Sequence, residues 1–152
     1  MGIEHSYNFR RADERVTTSG LVTAEQLAQL RREGYDAVIN LLPEDSEHAV
    51  ADEARIVREQ PLDYVYVPVD FAAPTHADFE AFSRAMDAHH GQQLHVHCAA
   101  NYRVSAFYGL YAVQQGLWSV DQADAFVRDL WDPSEHPVWA AFIDDERRRL
   151  TG

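Results

Sequence analysis

Three short apolar runs, YDAVINLL at 35–42, LDYVYVPV at 62–69 and LHVHC at 94–98, stand apart in this chain, each separated from the next by helical patterning. They are rich in β-branched and aromatic residues and too short for a buried helix, which suits strands covered on both faces. Strands that alternate with helices cannot be joined by tight hairpins; they close by crossovers, and the result is a largely parallel sheet. The expected fold is therefore α/β and three-layered, a mostly parallel sheet flanked by helices on both faces.

The intervening segments carry helix signals. Thr23 with Gln26 reads as a capping box that opens a helix over about 24–33, burying Leu27 and Leu30 and ending at Gly34. PEDSEHAVADEARIVREQ reads as a loop and a second helix, with Ala49, Val50, Ala54 and Val57 at core-facing spacing. Thr75 caps a helix in which Phe79, Phe82 and Met86 recur on one side. VSAFYGLYAVQQ is a strongly apolar helix closed by Gly116. Ser119 and Gln122 form another capping box, and Pro137 suits the first turn of a final helix toward Arg149. No repeat, low-complexity tract or linker interrupts this order, so one domain is expected over 1–152.

Charge narrows the partners. There are 25 acidic residues against 13 basic ones, every basic one an arginine, for a formal net charge of −12. Such a field repels nucleic acid and anionic membranes, and neither is expected as a partner. A site for a phosphate needs strong local compensation against it. No run approaches the ~18–20 apolar residues of a membrane span, and MGIEHSYNFRRADER has no signal-peptide core. MGIEHS fits the loose Met-Gly-x-x-x-Ser acylation pattern, on which no anchor is predicated. A single cysteine makes no internal disulfide, and a cytoplasmic location is the simplest expectation. The histidines are scattered without ligand spacing, so no metal site is expected.

That one cysteine, Cys98, ends the strand-like LHVHC and precedes a helix. In parallel sheets ligands gather beyond the carboxyl ends of the strands. A strand–turn–helix junction aims backbone N–H groups and the positive end of a helix dipole at one point. Ala99 and Ala100 are too small to obstruct an anion there, and Asn101 tolerates left-handed φ. A thiol in that field ionises more easily, Arg103 offers a fork for two anion oxygens, and the Ser105 hydroxyl can stabilise the sulfur. The competing reading is a small buried hydrophobe. His95 and His97 share one strand face, and either is accounted for by packing; His89 and His90 read as solvated at a helix end.

HCAANYRVS resembles the HC-x5-R-[ST] phosphate-binding loop of the cysteine-dependent protein tyrosine and dual-specificity phosphatases. With SGLVTAEQLAQLRREGYDAVINLLPED and YVYVPVDFAAPT, the likeness extends over residues 18–115, to a bacterial family of small phosphatase-like domains of largely unassigned substrate. The resemblance implies a cysteinyl-phosphate intermediate, no metal or other cofactor, and a substrate that is a phosphorylated protein or a small phosphate monoester. It implies Cys98 as nucleophile, His97 as the residue that tunes it, and the backbone of Ala99, Ala100, Asn101, Tyr102 and Arg103 as the cradle. Ser105 would assist departure of the thiolate. The general acid of such enzymes precedes the cysteine by about thirty residues; Asp70, at 98 − 70 = 28, is the candidate, with Asp45 in reserve.

The loop departs from that pattern. Four residues, not five, separate Cys98 from Arg103, Asn101 stands where glycine is usual, and an ungapped alignment puts Val104 in the place of the arginine. Four is the spacing of rhodanese-type sulfurtransferases. A phosphatase is the leading expectation; a sulfurtransferase, or an anion-binding domain with little turnover, is the alternative. Tyr102 and Phe71 are expected near the site, to stack on an aromatic substrate or to pack.

Overall fold

The structure, a computed structural model, describes residues 2–151. It contains a five-stranded sheet of order β1-β2-β5-β3-β4. The strands are β1 (Arg10–Arg11), β2 (Val16–Ser19), β3 (Ala37–Asn40), β4 (Asp63–Tyr66) and β5 (Leu94–His97). Only β1 runs antiparallel; β2, β3 and β4 are all parallel to the direction of β5. The helices are α1 (Ala24–Ala28), α2 (Glu53–Arg58), α3 (His76–Ala88), α4 (Tyr102–Gln114), α5 (Val120–Arg128) and α6 (Pro137–Thr151). The α/β three-layer expectation holds.

Two apolar clusters lie on the two sides of the sheet. The smaller, with Leu27, Leu30, Val38 and Val57, is built with α1 and α2. The larger, with Phe79, Phe82, Val96, Phe107 and Trp139, is built with α3, α4 and α6. Alternation along the strands divides them. It also places Thr17, Ser19, Asn40, His95 and His97 in register on the α1/α2 side, so a polar stripe crosses the middle of an otherwise apolar face.

Both expected capping boxes form, at Thr23–Gln26 and Ser119–Gln122, and a third is found at Thr75–Asp78. The Thr75–Asp78 box adds to the cap expected at Thr75, since the Asp78 carboxylate accepts the Thr75 N–H at 3.0 Å. The first helix is shorter than its periodicity predicts. After Ala28 the bonds switch to tighter i−3 partners, Gln29 N to Gln26 O and Leu30 N to Leu27 O. The Arg31 N–H is drawn away to Gln60 Oε1 at 3.1 Å. His89 is not solvated as expected. Its side chain is 12% exposed, its Nδ1 meets the Ala85 carbonyl at 2.8 Å and its Nε2 faces Asp63 at 3.3 Å. His90 is exposed.

Candidate active site

β5 delivers Cys98 to the carboxyl end of the central strand, and α4 begins four residues later at Tyr102. The turn between them is fixed by its carbonyls. The Ala99 carbonyl accepts the Leu21 N–H at 2.8 Å, and the Ala100 carbonyl accepts Asn8 Nδ2 at 3.0 Å. Gly20 lets the two segments meet: a Cβ there would lie 2.6 Å from Ala99 O and 2.8 Å from Ala100 Cα. Asn101 takes the left-handed conformation, φ 69° and ψ 11°, as anticipated for the position where glycine is usual. Its amide donates to the Asn8 carbonyl and to Thr18 Oγ1, both at 2.9 Å, and holds the turn from inside.

With the carbonyls of Ala99 and Ala100 engaged on the far side, the amides are left over. Among the described residues, no backbone N–H from Ala99 through Val104 makes a hydrogen bond, and the ladder resumes at Ser105 N to Asn101 O. The amides of Tyr102, Arg103 and Val104 are those any helix leaves unpaired in its first turn, and Ala99, Ala100 and Asn101 extend the run of free donors back toward Cys98. Cys98 is fully buried at its base. Burial alone would suit an inert thiol; the unpaired amides beside it at a helix N-terminus set its surroundings apart from those of a core cysteine.

Arg103 lies on the first turn of α4, half-buried, and its Nε is buried without a hydrogen-bond partner. Its guanidinium carbon stands 5.3 Å from the centre of the Phe71 ring. Phe71 follows Asp70 in the segment after β4, so the acid candidate and the arginine share a neighbour. Asp70 is exposed, and its carboxylate accepts the Ala72 N–H at 2.9 Å. That segment is held to the sheet by Val69 N to Leu41 O at 3.0 Å, and to α6 by Trp139 Nε1 to Phe71 O at 2.8 Å. Asp45 is also exposed, in the loop after β3.

Phe71 and Tyr102 both pack. Tyr102 stacks on Trp131 at 4.7 Å with 3° between planes, and Phe71 joins them with His136 and Trp139. Ser105 is engaged too, donating to the Tyr102 carbonyl at 3.1 Å and accepting Trp131 Nε1 at 3.0 Å. The expected help to a departing thiolate requires this hydroxyl to leave the Tyr102 carbonyl. Trp131 and Trp139, unremarked in the sequence, thus position the loop and the acid segment.

Under the turn lies the polar stripe. His95 accepts or donates at both ring nitrogens, to Thr17 Oγ1 and to Ser19 Oγ, each at 2.8 Å. Burial, and secondarily the proximity of His97, holds its pKa well below the ordinary value. His97 meets a residue that the sequence did not single out: its Nε2 lies 2.5 Å from Glu53 Oε2 of α2. Tyr64 on the same side is pushed up to about 12 by burial first and the Glu53 charge second. No group of three or more His, Cys, Asp or Glu side chains among the described residues is arranged to hold a metal.

Residues 4–126 match the family model described as a DSP-PTPase phosphatase fused to NAD+ kinase. The chain belongs to this family. It is accordingly a protein tyrosine phosphatase-like domain by family, and the match runs through the shortened loop at 98–103. A beta-lactamase hydrolase-like protein of Xylella fastidiosa is 33% identical over 116 residues, covering 74% of this chain. The chain spans 27% of the length of that curated relative. A crystal structure described as a candidate phosphatase of the DUF442 family, from Shewanella putrefaciens CN-32, is 36% identical. It has a TM-score of 0.88, over 97% of this chain and 96% of that one. TpbA of P. aeruginosa, solved in complex with phosphotyrosine, shares the fold with a TM-score of 0.70. Identity there is 17%, over 95% of this chain and 91% of that one. No helix among the described residues is long and apolar enough to cross a membrane.

Proposed function

We propose that this phosphatase-family chain hydrolyses phosphate monoesters through a cysteinyl-phosphate intermediate on Cys98. The observation that carries the reading is the run of unpaired amides from Ala99 to Val104 around the Cys98 thiol. The amides of that run can donate to phosphoryl oxygens, and Arg103, which has no hydrogen-bond acceptor among the described residues, supplies the fork.

In the first step the thiolate attacks phosphorus and the P–O ester bond breaks. Its electron pair goes to the leaving oxygen, which takes a proton from Asp70. In the second step water attacks phosphorus, the S–P bond breaks, and the pair returns to Cys98 as thiolate while Asp70 takes the proton from water. The amides and Arg103 stabilise the equatorial oxygens in both transition states. His97 supports the nucleophile from below, and Ser105 frames the loop through Tyr102. Substrates are phosphorylated protein side chains or small phosphate monoesters, in a cytoplasmic setting and without a metal cofactor.

The test is hydrolysis of an aryl phosphate by the purified chain, with and without chelator. Turnover insensitive to chelator and abolished in Cys98→Ser supports the reading; turnover that survives Cys98→Ser overturns it. The four-residue Cys98–Arg103 spacing keeps sulfur transfer as the second reading. Thiosulfate and cyanide would then yield thiocyanate, with little phosphate released from any ester.

A further inference from the structure

Glu53 and His97 come from elements 44 residues apart in sequence, yet their side chains meet at 2.5 Å with 6% and 1% exposure. Neither has another side-chain hydrogen bond among the described residues, and His97 Nδ1 is buried without a partner. The contrast with His95 is informative. That ring is pinned at both nitrogens, whereas the ring beside the nucleophile has one anchor, and the anchor is a carboxylate. A carboxylate is a costly group to bury, and one turn later on the same helix Val57 fills the same side of the sheet completely. Glu53 also lines a cavity of about 510 Å³ with Asn40, Glu44, Arg58 and Tyr64.

We propose that Glu53 is a positioning residue for the Cys98 nucleophile, acting through His97. This rests on the phosphatase reading. The Glu53 carboxylate accepts the Nε2–H of His97, which fixes both the tautomer and the plane of the ring. With Nδ1 unpartnered, the ring's only other restraint is packing, including its stacking on His95 at 6.2 Å, and the Glu53 carboxylate is its one hydrogen-bond anchor among the described residues. His97 immediately precedes Cys98, and its backbone is held in β5, so a turned ring alters the packing and polarity at the floor of the cradle. The amides and Arg103, which bind the phosphate, are not touched. The proposal therefore separates the chemical step from substrate binding.

The experiment uses the full chain with Glu53→Gln, Glu53→Leu and Glu53→Asp. Three quantities are read: kcat and KM for p-nitrophenyl phosphate, the pH profile of Cys98 alkylation by iodoacetamide, and the unfolding midpoint. Gln keeps an oxygen that accepts from Nε2–H, and is expected to retain most of kcat. Leu removes the anchor, and kcat should fall on the order of 100-fold with KM little changed, the cost of roughly 1 Å of misplacement at a reacting group. Its alkylation profile should move away from that of the parent. If Leu does not fold, Asp, which withdraws the carboxylate by one methylene, takes its place and should be slower than Gln. A folded Leu or Asp variant with parental kcat and an unmoved alkylation profile overturns the proposal. Alkylation is read without substrate, so it decides the role of Glu53 even if aryl phosphates prove not to be hydrolysed.

Discussion

The guanidinium carbon of Arg103 lies 5.3 Å from the centre of the Phe71 ring, and Phe71 is bonded through its carbonyl to Trp139 of α6. The first-turn arginine of α4 and the segment that carries Asp70 are therefore in contact before any substrate arrives. Phe71→Leu keeps apolar volume and removes the ring's π face. A cation–π contact of about 0.5–2 kcal/mol corresponds to roughly 2- to 30-fold weaker binding. Competitive inhibition by inorganic phosphate should weaken by that factor in Phe71→Leu and be restored in Phe71→Tyr. An unchanged inhibition constant would mean that Arg103 is positioned by its helix alone.

Asp70 is exposed and Asp45 is exposed, so burial does not choose between them; place does. Asp70 directly precedes the ring that touches Arg103. Asp70→Asn should slow the first step, formation of the cysteinyl-phosphate, by about 10²–10⁴-fold for esters with poor leaving groups and spare that step for activated aryl esters, which hardly need a proton. Asp45→Asn should alter neither. Equal losses on both substrate types would assign Asp70 to loop geometry, and a leaving-group effect in Asp45→Asn would reverse the assignment.

The turn depends on Asn101 for two separate things, a positive φ and two amide hydrogen bonds. Asn101→Gly relieves the first and loses the second; Asn101→Ala loses both. Left-handed φ costs a Cβ-bearing residue about 1–2 kcal/mol, so by denaturant titration Ala should be less stable than Gly by roughly that amount. Equal stabilities would show that the turn adopts another conformation once the amide is gone.

How much of this was legible beforehand follows from the range of each interaction. The capping boxes at Thr23–Gln26 and Ser119–Gln122, the cap at Thr75 and the left-handed tolerance of Asn101 are set within a few residues, and each is found where the sequence places it. The shorter first helix is a long-range effect, since Gln60 takes the Arg31 amide from outside the window in which periodicity operates. Glu53 was one acidic residue among 25, and nothing local distinguishes it; its partner is supplied by the crossover that brings α2 beneath β5. Ser105 stands at its expected helical position, but the indole of Trp131 that engages its hydroxyl comes from 26 residues away. His89 misled for the same reason, because the helix end it occupies is covered by Asp63 of a neighbouring strand.

His95 gives the fold a predictable acid sensitivity. Its folded pKa lies well below the ordinary value of 6.5, because protonation would bury a charge beside His97. Between those two values the unfolded chain binds a proton that the folded chain does not, so stability rises with pH there and is lost as pH falls below about 6.5. Unfolding free energy should therefore decrease on going from pH 7 toward pH 5, and His95→Gln should flatten that slope whatever it does to the absolute stability. An unaltered slope in His95→Gln would place the acid sensitivity elsewhere.

The most direct measurement of the central claim is the mass of the protein trapped by acid quench during turnover of an aryl phosphate, followed by mapping of the modified peptide. The account predicts a gain of one phosphoryl group, on the peptide that contains Cys98, accumulating in Asp70→Asn when an activated ester is supplied and absent from Cys98→Ser. A phosphoryl group on any other residue, or steady turnover with no covalent species while Cys98→Ser remains active, would contradict it. One added sulfur atom on Cys98 in the untreated chain, with no phosphoryl adduct at any time, would transfer the site to sulfur chemistry.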